Sequence, residues 1–279
     1  MADSENTDQN AAHRTGPDEN GTVTATVDGH LCHIVVDRSD KMNGFTPEMF
    51  EQLGLHLQEL DQNPELWVGV ISFAGANTTA GLDLPRFAGS MRGESTEGSA
   101  AERPGIDPFG MRSRCSKPVV MAVQGITFTI GIEMMLSADI VIAADDCRFA
   151  QLEPKRGLAV FGGAHVRYVE RAGWGNAMYH LLRADEFNAA RALELGFVQE
   201  VVPAGAQVDR AVEVAGEILA CAPLAVQEIK RAARVFATDG EAAAFAEIDT
   251  MRARTAGSED FSEGLNSFIE RRPANFTGR

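Results

Sequence analysis

The chain has 279 residues, of which 44% are hydrophobic, so it can bury the core of one large domain. Forty acidic residues against 25 basic ones give a formal charge of −15, which repels nucleic-acid phosphates and anionic membrane surfaces. Neither nucleic acid nor a membrane is therefore expected as a partner. No apolar run approaches the roughly 20 residues that span a bilayer, and no signal-peptide pattern opens the sequence, so we expect a cytoplasmic protein.

The beginning of the sequence predicts a tail and then a hairpin. Residues 1–20 carry several acids and almost no large apolar side chains, a composition that predicts a disordered acidic tail. An alternating pattern begins at Thr22, and the turn signal at Asp28 and Gly29 predicts a β-hairpin whose second strand covers residues 31–36. The ordered body is therefore expected to begin with this hairpin.

A helix, a buried strand and a loop are predicted next. Thr46 and Pro47 predict the start of the helix, because the hydroxyl can cap the first turn and proline needs no N–H donor there. Apolar residues at helical spacing extend this helix to about residue 61, and the apolar run at 67–73 predicts a strand covered on both faces. The small, polar and charged residues of 88–105 show no period and predict a surface loop.

The remaining patterns divide the chain into two regions. Further strands are predicted at residues 119–123, 140–144 and 197–202, and further helices at 132–138 and 189–195. Beyond Pro203 only amphipathic helices are predicted, at residues 208–219, 224–236, 241–254 and 260–272. The patterns therefore predict an α/β core at 21–204 and a helical region at 205–279, which must bury its apolar faces on the core or on another subunit.

Several common catalytic motifs are absent from the sequence. GxxxxGK[ST], GxSxG and HExxH do not occur, which argues against a P-loop, a serine-hydrolase elbow and a zinc-peptidase site. The four cysteines are scattered without a CxxC pair, a spacing more typical of free thiols than of disulfides or a metal site. No metal site is therefore predicted.

Two glycine-containing turns and two glutamates carry the positive evidence for a site. One turn, at 80–83, follows the strand at 67–73, and the other contains Gly131 at the start of the helix that carries Glu133. Backbone N–H groups from two such turns, aimed at one carbonyl oxygen, would form an oxyanion hole. Glu133 lies in an apolar sequence, where an unpartnered carboxylate is costly, and Glu153 follows the next turn. Each feature alone is more typical of an ordinary turn, a helix-dipole acid or a solvated charge.

Five motifs, in the order in which they occur, resemble those of the crotonase superfamily, the enoyl-CoA hydratase/isomerase family. They are DRSDKMNGFTPEMF at 37–50, AGLDL at 80–84, KPVVMAVQGITFTIGIEMMLSADIVIAAD at 117–145, FAQLEPKRGL at 149–158 and ARALELGFVQEVVP at 190–203. The resemblance covers about residues 22–279. It implies an α/β fold, a crotonase-type spiral of β-β-α units with a helical C-terminal trimerisation region, assembled as a homotrimer or a dimer of trimers.

The resemblance also implies a reaction and the residues that perform it. Members of the family bind acyl-CoA thioesters and stabilise an enolate through two backbone amides, which by position belong here to Leu82 and Ile130, with Gly131 adjoining. Glu133 and Glu153 correspond to the glutamate pair that holds a water molecule in the hydratase members. Hydration of a 2-enoyl-CoA, or the reverse dehydration of a 3-hydroxyacyl-CoA, is therefore expected. The alternatives are isomerisation of an enoyl-CoA, another crotonase-type reaction, and acyl-CoA binding without turnover.

Contacts to CoA and two departures from the family pattern complete these implications. The CoA-binding positions implied by the resemblance are Lys41, Met42, Asn43, Ala80, Asp83 and Leu84. CoA enters as part of the substrate, and no cofactor is implied.

Thr129, Ile130 and Gly131 stand where the family has three glycines, so a β-branched residue carries the second oxyanion donor. Residues 160–164 replace the usual proline-glycine-alanine-glycine-glycine, and Phe161 is expected to reshape the acyl channel.

Overall fold

The computed structural model describes residues 19–93 and 103–279. Of the predicted disordered tail, residues 1–18 lie outside this description. The next two residues are held against the body of the protein, because the backbone oxygens of Glu19 and Asn20 accept hydrogen bonds from Arg38 Nε and Thr46 Oγ1.

Strands and helices alternate through the core, and helices alone follow it. The strands in chain order are β1 (Thr22–Asp28), β2 (Leu31–Asp37), β3 (Val68–Phe73), β4 (Val119–Val123), β5 (Ile126–Phe128), β6 (Ile140–Ala144), β7 (Arg148–Ala150), β8 (Phe187–Asn188) and β9 (Glu200–Val202). The helices are α1 (Pro47–Gln62), α2 (Leu84–Met91), α3 (Ile130–Met135), α4 (Ala164–Arg183), α5 (Ala189–Glu194), α6 (Gln207–Leu219), α7 (Pro223–Asp239), α8 (Glu241–Ala246), α9 (Ile248–Ala256) and α10 (Glu259–Glu270). None of these helices, within the described ranges, is long and apolar enough to cross a membrane.

The strands form two sheets that share a repeating unit. The larger sheet has the order β1-β2-β3-β4-β6-β9, in which the hairpin β1-β2 is antiparallel and every later pair is parallel. The smaller sheet has the order β5-β7-β8, with β5 and β7 parallel. A strand of the larger sheet, a strand of the smaller sheet and a helix recur as β4-β5-α3 and β6-β7-α4. These two units form the β-β-α spiral that the motifs imply.

The early elements agree with the prediction, and their local causes are visible. The hairpin closes at the predicted turn, where Asp28 pairs with Leu31. Thr46 Oγ1 accepts a hydrogen bond from Met49 N at 3.2 Å and caps α1, as the Thr-Pro signal predicts. Every residue of β3 is buried, as expected for a parallel strand with both faces covered.

Two element predictions are wrong in detail. Residues 88–91 belong to α2 rather than to a surface loop. Phe87 is the only buried residue of this helix, and the predicted loop began inside it, which divided the helical spacing of Leu84, Phe87 and Met91. The rest of the predicted loop includes residues 94–102, which lie outside the described residues. The helix predicted at 241–254 is divided into the two shorter helices α8 and α9.

The helical end of the chain lies in two different environments. Helix α6 packs on the larger sheet, where Ala211, Val214 and Ala215 share one buried cluster with side chains of β3, β4 and β6. Helices α7 to α10 instead leave large apolar side chains in solvent, among them Phe245 and Phe268, which are 63% and 81% exposed. Part of the predicted helical region therefore completes the core of this chain, and the rest presents an apolar outer surface.

Candidate active site

Three turns converge at one edge of the smaller sheet. The first turn follows Thr79, which forms a parallel bridge with Thr127 of β5, and the other two turns follow β5 and β7. Because these segments run parallel, the three turns lie at the same edge of the sheet. Backbone hydrogen bonds hold the three segments in a row: Phe128 N donates to Thr79 O at 3.0 Å, and Thr129 N donates to Ala150 O at 2.9 Å. The predicted site residues that follow these turns are Leu82, Ile130, Gly131, Glu133 and Glu153.

Leu82 and Ile130, from the first two turns, line one cavity. Neither backbone N–H has an acceptor within the described residues. Gly81 has a φ of +118°, and a Cβ at this position would lie only 2.7 Å from Thr129 Oγ1. Glycine therefore allows the two turns to approach each other closely, and it brings two unused donors to the wall of the same cavity.

The backbone of the second turn is strained at Thr129 rather than at Ile130. Thr129 has a φ of 51°, a left-handed value that is an outlier for a β-branched residue, whereas Ile130 is the first residue of α3. The carbonyl oxygen of Thr129 accepts hydrogen bonds from Ile132 N and Glu133 N, which helps to hold this conformation. Gly131 is buried, and a Cβ there would lie 2.8 Å from a methyl carbon of Thr79. Packing against Thr79 thus accounts for glycine at this position.

Glu133 lies in the first turn of α3 and is 2% exposed. Its Oε1 accepts hydrogen bonds from Gly162 N at 2.8 Å and from Ala164 N at 3.2 Å. Burial raises the pKa of Glu133, while these two N–H groups and the charge of Arg167 oppose the shift. The carboxylate is therefore held rigidly by one oxygen, with Oε2 left for other contacts.

Glu153 opens the 3-10 turn Glu153–Arg156 directly after β7. Burial raises the pKa of Glu153 to about 7, and the nearby charge of Glu133 adds to this shift. The Oε2 atom of Glu153 is enclosed and makes no hydrogen bond within the described residues. At neutral pH this group can therefore either give up or take up a proton.

The cavity that joins these groups is large and mostly apolar. It has a volume of about 710 Å³, and both Glu133 and Glu153 line it. The other lining residues include Phe50, Phe87, Met91, Phe109, Met111 and Phe161. Phe161, whose effect on the acyl channel stays a prediction, is 63% exposed and lies at the cavity wall. An apolar chain that carries a polar reacting carbon fits this combination of walls and carboxylates.

The predicted CoA-binding positions have two kinds of environment. Ala80 and Leu84 line the cavity, and Lys41 and Met42 are exposed on an adjoining turn. The backbone connects these two loops, since Ala80 N donates to Met42 O at 3.0 Å. The loops therefore lie side by side at the cavity.

Asn43 and Asp83 have structural partners within the protein. The buried Asn43 side chain donates to the backbone oxygens of Ala74 and Asn77, and Asp83 Oδ2 lies 2.9 Å from Arg38 Nη1. These side chains hold the two loops in place, so any contact of residues 43 and 83 with a ligand involves their backbone more readily than their side chains.

The described residues contain no group of three or more His, Cys, Asp or Glu side chains that could hold a metal ion. Cys32, Cys115 and Cys147 are buried as free thiols, and Cys221 is exposed.

The sequence profile of the enoyl-CoA hydratase/isomerase family matches residues 26–279. This chain belongs to that family. It is 31% identical to the enoyl-CoA hydratase EchA19 of Mycobacterium tuberculosis, over 90% of this chain and 94% of that protein. It is 28% identical to the mevalonyl-coenzyme A hydratase sidH of Aspergillus fumigatus, over 92% of this chain and 94% of that protein.

Comparison with solved structures confirms the crotonase-type fold. A probable enoyl-CoA hydratase/isomerase from Mycobacterium abscessus superposes with a TM-score of 0.86 at 41% identity, over 92% of this chain and 99% of the other. An enoyl-CoA hydratase from Mycobacterium tuberculosis superposes with a TM-score of 0.84 at 32% identity, over the same shares of the two chains. The similarity extends over nearly the whole length of both proteins.

The sequence alone does not reveal the groups that hold Glu133. Gly162 and Ala164 lie 29 and 31 residues later, on the segment that leads into α4. Arg167, on the first turns of α4, donates to the backbone oxygens of Glu133 and Gly162 at 3.2 Å. The signal that could have identified them is the glycine pair before α4, because N–H groups at a helix start are free to bind a carboxylate.

Proposed function

We propose that this protein is an enoyl-CoA hydratase, which adds water across the double bond of a 2-enoyl-CoA or catalyses the reverse dehydration of a 3-hydroxyacyl-CoA. One observation carries the proposal: the buried Glu133 and the half-buried Glu153 line the same cavity as Leu82 and Ile130, whose backbone N–H groups are unused. The hydratase relatives in the family support the same reaction.

In the proposed mechanism the thioester oxygen accepts hydrogen bonds from the N–H groups of Leu82 and Ile130, which form the oxyanion hole with Gly131 adjoining. This polarises the conjugated system and makes C3 electrophilic. A water molecule between the two carboxylates loses a proton to one of them as its oxygen bonds to C3. The resulting enolate takes a proton at C2 from the other carboxyl group. The first carboxyl group then passes the proton that it took from the water to the second and restores the site, so one water is consumed and one C–O and one C–H bond form.

The hydrogen bonds around the two carboxyl groups suggest which one is the base. Glu133 accepts two backbone N–H groups, which favour its ionised form and suit it to activate the water. Glu153 has a pKa raised to about 7 and an enclosed oxygen without a donor, so it can carry the proton that C2 receives. We therefore assign Glu133 as the base and Glu153 as the acid in the hydration direction.

We further propose that CoA binds along the two adjoining loops at 41–43 and 80–84. The exposed Lys41 supplies a positive charge there, Ala80 and Leu84 face the cavity, and Asn43 and Asp83 keep the loops together. The thioester carbonyl, the water and the two carboxyl groups account for the whole reaction, so no cofactor is part of the proposal. The proposal includes a cytoplasmic location for the protein.

We propose that the chain assembles as a homotrimer or a dimer of trimers through the helical region that follows residue 204. Helices α7 to α10 leave Phe236, Phe245, Phe268 and Ile269 more than half exposed, and exposed apolar surfaces of this kind mark sites of association. Sedimentation equilibrium is expected to give three or six times the mass of one chain. A monomer at micromolar concentration would contradict the assembly and leave the reaction untouched.

The reaction can be tested directly with crotonyl-CoA and longer 2-enoyl-CoAs. We expect the conjugated absorbance to decrease and the 3-hydroxyacyl-CoA to appear. Because Glu153 must carry its proton, kcat/KM for hydration should fall as the pH rises through about 7. Migration of the double bond without hydroxylated product would instead indicate an isomerase, and calorimetric binding of acyl-CoA esters without turnover would indicate a binding protein.

A further inference from the structure

Three polar groups close to the reaction centre are enclosed and have no hydrogen-bond partner within the described residues. They are the Oε2 of Glu153, both polar atoms of the Gln151 carboxamide and the hydroxyl of Tyr168. Gln151 is 2% exposed and Tyr168 is completely buried. Buried polar groups in proteins almost always have a partner, and where the protein supplies none an ordered internal water usually does.

The fold brings these groups together from two elements. Gln151 and Glu153 lie on the same turn after β7, two residues apart, and Tyr168 lies on α4, the helix that packs against this turn. The Tyr168 hydroxyl is enclosed on this helix, which contacts the turn that carries Glu153.

The electrostatic environment of Tyr168 agrees with this placement. Burial raises its pKa well above the ordinary value, and the negative charges of Glu153, Glu133 and Asp185 raise it further, in that order. The phenol therefore keeps its proton over the whole range in which proteins are stable. It is a permanent donor within electrostatic reach of Glu153.

We propose that Tyr168 and Gln151 are positioning residues that hold internal water against Oε2 of Glu153 and thereby control when this group releases its proton. The Tyr168 hydroxyl donates to the water, and the water donates in turn to the carboxylate. A hydrogen bond to a charged acceptor is roughly twice as strong as one to a neutral acceptor, so the arrangement favours the ionised form of Glu153. It opposes the effect of burial and keeps the proton of Glu153 transferable near neutral pH.

The other charged groups around this cluster are already engaged. Glu133 faces it from α3 and is held by backbone N–H groups. Arg167 on α4 donates to backbone oxygens, and Asp185 lies 3.1 Å from His180 Nδ1. Arg156, on the same turn as Glu153, is exposed. Among the described residues the Tyr168 hydroxyl and the Gln151 carboxamide are thus the neutral donors without a partner on the turn of Glu153 and the helix packed against it.

The main test is the pH dependence of hydration by the Tyr168→Phe variant of the full-length protein. Loss of the donor should move the fall of kcat/KM at alkaline pH to a pH about half to one unit higher, because Glu153 then holds its proton more tightly. The sequence contains one other tyrosine, Tyr179, which is 53% exposed, so Tyr179→Phe is the matched control and should leave this fall at the same pH. A fall at the unchanged pH in Tyr168→Phe would overturn the proposal.

The Gln151→Met variant distinguishes a Gln151 carboxamide that binds water from one that has no hydrogen-bond partner. If the carboxamide binds water, its loss should shift the fall of kcat/KM in the same direction and lower the melting temperature by a few degrees. If it has no partner at all, methionine removes an unsatisfied polar group, and the variant should be as stable as the parent or more stable, with the same pH profile. The second result would contradict the proposal.

The catalytic consequence rests on the proposed function, but the contact itself can be measured without turnover. With tyrosine labelled by ¹³C at the ring carbon that bears the hydroxyl, the Tyr168 signal should titrate with a midpoint near 7, and this inflection should vanish in Glu153→Gln. The Tyr179 signal is identified with Tyr179→Phe, and the deciding inflection is the one that Glu153→Gln removes. A flat Tyr168 signal would refute the coupling even in an active hydratase. A titrating signal in an inactive protein would refute only the reaction.

Discussion

Replacing Glu133 or Glu153 by glutamine is expected to lower kcat/KM for hydration by about 10²–10⁴-fold, the usual contribution of a positioned general acid or base. Glutamine keeps the shape of the side chain, and at position 133 its oxygen can still accept from Gly162 N and Ala164 N, but it cannot transfer a proton. Initial rates with crotonyl-CoA provide the measurement. Full hydratase activity in either variant would exclude the mechanism with two glutamates.

Thermal unfolding distinguishes lost chemistry from lost structure in these variants. Because burial raises the pKa of Glu153 from 4.5 to about 7, ionisation of this group makes the folded protein less stable as the pH rises through that interval. Glu153→Gln should therefore lose part of this pH dependence and remain folded. Glu213→Gln, which changes a 66% exposed carboxylate on α6, is the control and should alter neither activity nor this pH dependence.

Gly162→Ala is expected to lower kcat/KM by about 10²-fold, because a small displacement of a catalytic group has a large effect on rate. A Cβ at this position would lie 2.3 Å from Oε2 of Glu133 and 2.6 Å from its Cδ, so the carboxylate has to move. The hydrogen bond from Gly162 N to Oε1, at 2.8 Å, would be strained at the same time.

Gly175→Ala is the matched control for Gly162→Ala. Gly175 also belongs to the segment around α4, but a Cβ there has no atom within 4 Å, and alanine favours the helix more than glycine. The control should keep its activity and be at least as stable as the parent. Unchanged kcat/KM in a folded Gly162→Ala protein would show that Glu133 does not need its observed position.

Local chemistry explains why most of the core could be predicted from the sequence. The start of α1 depends on two neighbouring residues, Thr46 and Pro47, which can be recognised in the sequence. Strand β3 can be recognised by its uninterrupted apolar run, which reflects burial on both faces. Helix α2 was missed although Leu84, Phe87 and Met91 recur at helical spacing, because the small and polar residues from 88 onward were interpreted as a loop. The cavity that these three side chains line is visible only in the folded protein.

The site shows the same division. The two glutamates and the glycine turns that contain Leu82 and Ile130 are visible as motifs, and the family resemblance relates them to a reaction. Which backbone groups hold Glu133 is not visible, because the donors are supplied by a turn 29 and 31 residues away. The same holds for Asn43, whose side chain holds distant backbone oxygens together instead of facing the cavity.

By itself the sequence determined the family and the order of the β-β-α units, and it pointed to the two glutamates, because motifs, caps and apolar periods are properties of neighbouring residues. The tertiary structure alone decided that Thr129 takes the strained conformation beside Gly81, that Glu133 is held by one oxygen, and that one oxygen of Glu153 is enclosed near Tyr168. These properties depend on desolvation and on contacts between segments far apart in the chain. They come into existence only when the segments pack together.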